Sequence, residues 1–263
     1  MSRGIGFRTA GFRNWGLREA LYCLGDMGYD GVELCLEHPE MRPEALTARA
    51  CANWAETVAQ AGLQVASVSY HGDGEPYLER STNQVRAVSI AADCGAQVLI
   101  LNGEKALPGR QVAQWQAFVT HLSDAVMPLA ADLNIRVALE PEPGHHLHSS
   151  QDLLRLLAEV GHPALGANLD VGHAWLTDTD VVSTIHELAP RLWHLHWEDF
   201  PVGEHRHLVP GTGDMPLRAL HAALREVGYP GFYTVDLFDI AADPEPPARQ
   251  SLAAVRTMLR AGG

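Results

Sequence analysis

Residues 165–199 read LGANLDVGHAWLTDTDVVSTIHELAPRLWHLHWED. An apolar run ends in Asp170 and His173, a segment of helical periodicity follows, and a second apolar run ends in His194, His196 and Asp199. Two strands terminated in the same way and joined by a helix make a parallel βαβ unit, because parallel neighbours need a crossover connection. The spacing predicts that the helix opens at Thr177 or Asp178 and ends before Pro190.

The same alternation extends in both directions from this unit. Further strand candidates are GIGFRTA (4–10), GVELCL (31–36), QVASVSYHG (64–72), AQVLILNG (96–103), RVALEPE (136–142) and FYTVDLF (232–238), which brings the total to eight. Helical segments lie between them at 17–29, 43–62, 78–95, 111–133 and 151–161, the last entered through Ser149 and Ser150 and closed by Gly161. A Pro-rich loop, AADPEPPA (241–248), precedes a last helix ending near Leu259. Eight strand–helix pairs with no linker between them predict an α/β chain folded as a single (β/α)8 TIM barrel over residues 1–263. A doubly wound open sheet is the runner-up, but the turn after the first strand, RTAGFRNWG, is not the G-x-G-x-x-G of a dinucleotide-binding fold.

Composition narrows the function. Lys and Arg number 19 against 32 Asp and Glu, for a formal charge of −13. That balance argues against nucleic acid and against an anionic membrane surface, both of which require a concentrated basic face. Lys105 is the single lysine, so Schiff-base chemistry would rest on one side chain. Cys23, Cys35, Cys51 and Cys94 form no C-x-x-C pair, and no long apolar run occurs, so a soluble, cytoplasmic protein with reduced thiols is expected.

In such a barrel the C-terminal ends of the strands converge on one face, where active sites are built. Those ends carry Glu33, His71, Asp73, Asn102, Glu104, Glu140, Glu142, Asp170, His173, His194, His196, Asp199 and Asp236. Glu140, Asp170, His196 and Asp236, from four successive strands, make an oxygen-rich set suited to one divalent cation. Mn2+ is the first expectation, with Mg2+, Co2+ and Zn2+ as alternatives. His173 lies close enough to face the same cavity, and Asp199 is a candidate to receive the His196 imidazole N–H and fix its tautomer. His194 and His196, two apart, should both point inward. Arg206 and His207, with His205, are candidates for a distal hydroxyl or anionic group of the substrate, and Trp15 for a wall against a sugar face. His145, His146 and His148 are expected on an exposed rim or lid.

The motifs LGDMGYDGVEL, AADCGAQVLILNG, VALEPEPG, NLDVGHAWL, HLHWED and HLVPGTGDMPLRALHAALREVGYPGFYTVDL resemble the xylose isomerase-like barrels, a family that includes sugar isomerases, epimerases and endonuclease IV. The resemblance spans nearly the whole chain. It implies that Glu140, Asp170, His196 and Asp236 are metal ligands and that His173 and His207 contact substrate or metal; His71, Glu33 and Asn102 are candidate substrate contacts from their strand-end positions alone. The last ligand in the family is usually Glu, and Asp236 is one methylene shorter. The endonuclease branch carries a His after the fourth strand where this chain has Asn102.

The activity expected is isomerisation or epimerisation of a small ketose, aldose or hydroxycarbonyl compound through a metal-stabilised cis-enediolate, with Glu140 and Asp236 as the proton-transferring groups. A metal-dependent lyase, dehydratase or C-glycoside deglycosidase is the alternative, and an AP endonuclease-like phosphodiesterase the more distant one. The partners expected are a sugar or polyol substrate and a second or fourth copy of the chain, with no nucleic acid and no membrane.

Overall fold

In the computed structural model, which describes residues 4–240 and 242–261, eight parallel strands close into a barrel in the order β1-β2-β3-β4-β5-β6-β7-β8. They are β1 (Ile5–Arg8), β2 (Gly31–Cys35), β3 (Gln64–Tyr70), β4 (Val98–Asn102), β5 (Arg136–Glu140), β6 (Leu165–Asp170), β7 (Leu192–His196) and β8 (Tyr233–Val235). Pairing of β1 with β8 excludes the open sheet. Around them run α1 (Leu17–Met27), α2 (Ala48–Gln60), α3 (Tyr77–Asp93), α4 (Gln111–His121), α5 (Met127–Asp132), α6 (Ser150–Val160), α7 (Val171–Thr177), α8 (Val181–Leu188), α9 (Leu217–Glu226) and α10 (Glu245–Ala261). Among the described residues no helix is long and apolar enough to cross a membrane.

The helix ends follow from local chemistry, and they correct several sequence expectations. Ser149 caps α6 in a reciprocal capping box with Asp152, and Gly161 ends it at a φ of 66° that only glycine adopts freely. Asp180, rather than Thr177 or Asp178, caps α8. The preceding residues form the separate short helix α7, which starts directly at the end of β6. Thr47 caps α2, so that helix begins at Ala48 instead of in the segment after Pro43. The long segment 111–133 is broken by a π turn at Leu122–Val126. Pro128 lies just beyond it, and its ring would collide with the carbonyl four residues back in a regular ladder. Ala241 lies outside the described residues, but α10 already starts at Glu245 with Pro246 and Pro247 in its first turn, where a missing N–H is tolerated.

One glycine is fixed by close packing. A Cβ at Gly166 in β6 would overlap the Trp193 indole nitrogen and the Arg191 carbonyl. The replacement Gly166→Ala is expected to lower stability by about 1–3 kcal/mol, the usual cost of overpacking. Urea unfolding followed by circular dichroism measures it, and an unchanged midpoint would show that β7 can move aside.

Candidate active site

The period of two in β7 turns His194 and His196 into the barrel, where both Nε2 atoms meet Glu33 Oε2, at 3.1 and 3.0 Å. Glu33 is fully buried, also accepts from Ser67 Oγ at 2.8 Å, and lies 3.2 Å from Arg8 Nε. It is a floor to the site and does not line the cavity above. By occupying Nε2 of His196 it leaves Nδ1 facing Glu140 Oε2 at 3.3 Å and Asp170 Oδ2 and Asp236 Oδ2 at 3.7 Å each. Glu33 therefore does the orienting that the sequence suggested for Asp199. The Asp199 carboxylate instead accepts from the backbone N–H groups of Gly211, Gly213 and Met215, and so shapes the PGTGD loop.

Asp170 divides its two oxygens. Oδ1 accepts from His173 N at 2.7 Å and thereby caps α7, while Oδ2 is buried with no hydrogen-bond partner. The D-V-G-H spacing thus starts a helix and leaves one oxygen for the site. Glu140 is held by Asn168 Nδ2 at 2.8 Å, with His71 Nε2 at 3.3 Å and His173 Nδ1 at 3.4 Å. Asp236, one residue beyond β8, receives Arg8 Nη1 at 2.9 Å on Oδ2, and its Oδ1 is buried and unpartnered. Arg8 Nη2 also lies 2.6 Å from His71 Nδ1, and Nε2 of that ring faces Glu140.

The electrostatics favour a cation. Glu33, Glu140, Asp170, Glu198 and Asp236 are all at most 2% exposed. Burial pushes the Glu140 carboxyl up, but the charges of His196 and His71 outweigh it and bring it to about 2. Burial likewise opposes ionisation of Glu33 and Asp170, and the neighbouring imidazoles hold both well below the usual carboxylate range. His196 is driven the other way: burial disfavours its charge, yet Glu33 and Glu140 raise it well above an ordinary imidazole. Glu198, which accepts from Gly172 N at 2.7 Å, is pushed up by burial and by the charges of Asp170 and Asp236, so it favours its protonated form. Carboxylates that keep protons on an imidazole and on each other form a surrounding deficient in positive charge. One oxygen of Glu140, one of Asp170 and one nitrogen of His196 lie within 4.8 Å of one another, and these three could hold a divalent ion with Asp236 alongside.

Above this group opens a cavity of about 700 Å³, lined by Arg8, His71, Glu140, His173, His207 and Asp236 among others. His207 Nδ1–H donates to the Asp236 carbonyl oxygen, 3.1 Å away, and His173 Nε2 meets His205 Nε2 at 3.1 Å. Other residues expected at the site are placed elsewhere. Trp15 does not line the cavity; it packs edge-on against Phe12 at 5.3 Å between ring centroids. Arg206 is exposed, 3.6 Å from Glu204, and also outside the lining. Asn102 is fully buried behind the wall, donating to Glu142 Oε2 at 2.7 Å and accepting from Arg80.

A family model described as xylose isomerase-like TIM barrel matches residues 24–258. The chain belongs to this xylose isomerase-like family. A fructoselysine 3-epimerase of Shigella flexneri is 24% identical over 97% of this chain and 97% of its own. A ketose 3-epimerase of Arthrobacter globiformis is 26% identical over 85% of this chain and 78% of its own. A xylose isomerase domain protein of Planctomyces limnophilus superposes with a TM-score of 0.81 at 22% identity, covering 99% of this chain and 98% of that one. The first two of these relatives carry the names of sugar epimerases, and the chain is an enzyme of this isomerase and epimerase family.

Sequence reasoning missed Arg8, Asn168, Glu37 and Glu198. Arg8 had a signal, a lone charge closing an otherwise apolar first strand. Glu198 had another, since the inward alternation of His194 and His196 extends two residues further. Glu37 had none: its carboxylate accepts from His71 N at 2.5 Å and Gly72 N at 2.9 Å, a contact made across two strand-end loops. Arg8 is the guanidinium among these buried carboxylates, and removing it takes from Asp236 its directly bonded countercharge and from Glu33 one of its charged neighbours. Arg8→Met is expected to cost about 3–5 kcal/mol of stability in chelator-treated protein, the range found when one partner of a buried ion pair is removed. Chemical denaturation measures it, and a loss below about 1 kcal/mol, typical of exposed pairs, would contradict the role.

Proposed function

We propose that the chain is a divalent-metal-dependent ketose epimerase, working at the carbon next to the carbonyl of a small sugar or polyol ketone. The observation that carries this reading is the presence of two carboxylates, Glu140 from the end of β5 and Asp236 from just beyond β8, in the lining of one cavity, with His196 Nδ1 within 3.7 Å of both. Isomerisation needs one proton-transferring group, whereas inversion at carbon needs delivery to the face opposite removal and hence two. The epimerase names of two relatives support the same choice.

Glu140, Asp170, His196 and Asp236 are proposed to hold the ion. The fit rests on the unpartnered buried oxygens of Asp170 and Asp236 and on an oxygen-rich donor set, which favours Mn2+, Mg2+ or Co2+. When bound, a divalent cation supplies polarisation of a carbonyl and its neighbouring hydroxyl, which acidifies the carbon-bound proton. Glu140 and Asp236 exchange the carbon proton, one removing it and the other returning it. Arg8 keeps the shorter Asp236 side chain directed by its 2.9 Å bond. His173 and His207 face the same cavity and position substrate hydroxyls. A volume of about 700 Å³ suits a monosaccharide or a modestly substituted one.

Incubation with Mn2+ and a panel of ketoses in deuterated water tests this reading. Deuterium should enter the carbon next to the carbonyl and the epimer should accumulate; an aldose product would indicate isomerisation, and loss of water or an aglycone would indicate the lyase. Glu140→Gln is expected to fold and to lose both exchange and metal dependence. Asp236→Asn should lower the epimerisation rate about 10²–10⁴-fold, the contribution of a positioned acid or base. Activity close to wild type in either variant would overturn the assignment.

A further inference from the structure

The loop after β5 does not form an exposed rim throughout. His148 is exposed, but His145 is only 4% exposed, and neither of its ring nitrogens has a hydrogen-bond partner. A buried imidazole left unpaired is costly, and native proteins rarely retain one without a reason. Its Nε2 faces two carboxylates brought from different loops, Asp73 Oδ1 at 3.7 Å and Glu142 Oε2 at 3.6 Å. The three donor atoms lie within 4.8 Å of one another.

Both separations exceed hydrogen-bond lengths, which run to about 3.2 Å for nitrogen donors. They approach the spacing of ligands around one small cation: with metal–ligand bonds of about 2.0–2.2 Å in a tetrahedron, neighbouring donors stand about 3.3–3.6 Å apart. Glu142 Oε2, the oxygen that faces His145, is also fixed in place by the 2.7 Å bond it accepts from Asn102 Nδ2, a form of outer support that metal-binding carboxylates receive.

We propose that Asp73, Glu142 and His145 form a second divalent-cation site, distinct from the Glu140, Asp170 and His196 group and of the mixed nitrogen and oxygen type that takes Zn2+ or Co2+. Asp73 and Glu142 line the main cavity, and Asp73 also lines a neighbouring cavity of about 590 Å³. A cation there fastens the loop after β3 to the loop after β5, in the wall between the two spaces.

The test is metal content. Chelator-stripped wild type and the variants His145→Ala and Asp73→Asn are dialysed against Zn2+, then against Co2+, and bound metal is measured by atomic emission. Folding is checked by circular dichroism; Asp73, with half its side chain exposed, tolerates the change to Asn. Both variants should bind one equivalent fewer than wild type, and combining His145→Ala with Glu140→Gln should remove a further equivalent. If either single variant binds as many ions as wild type, the proposal is overturned. Because the readout is stoichiometry, this outcome is independent of whether the enzyme epimerises a ketose.

Discussion

Burying several carboxylates at one end of a barrel is the constraint around which the rest of this molecule is arranged. Each ion taken out of water costs several kcal/mol unless a countercharge and hydrogen bonds offset it. Arg8 bonds Asp236, Glu33 and His71 at once, linking β1 to β2, β3 and the end of β8. His196, which Glu33 drives toward its charged form, and the imidazole of His194 both meet the other Glu33 oxygen, Oε2. What remains above them is a surface of partly unsatisfied oxygens that a divalent cation would complete.

The barrel itself was legible because parallel βαβ units impose a long-range regularity that survives local ambiguity. Strand positions were read from apolar runs and confirmed by the closed pairing order. Helix starts were read less well, since Asp170, Asp178 and Asp180 are equally good caps in sequence and only tertiary packing decides among them. Asp178 is occupied elsewhere, accepting from Ser150 N and Thr184 Oγ1, so it is Asp180 that opens α8.

Legibility of the site followed the same division. The strand ends of a closed barrel converge whatever the side chains do, and this brings Glu140, Asp170, His196 and Asp236 together. Residues on long loops escaped that logic: Trp15 and Arg206 turn away from the cavity, while Glu37 reaches it. His145 and His146 were misjudged for a related reason. A polar triplet in a loop looks solvent-exposed, but an isolated bridge from Lys105 to His145 folds this loop back onto the one after β4. Asp236, one residue beyond β8, meets Arg8 at the end of β1 with a 2.9 Å bond.

Asp170 serves the backbone with one atom of its carboxylate and turns the other toward the buried group of Glu140 and His196. That double duty makes the position intolerant in two independent ways. An amide could still accept from the His173 N–H and start α7, but would weaken attraction for a cation. A longer acid would keep its charge while displacing the oxygen that begins the helix. Folding thus constrains this side chain through Oδ1, the proposed cation site would constrain it through Oδ2, and the start of α7 would be mechanically tied to an ion held there.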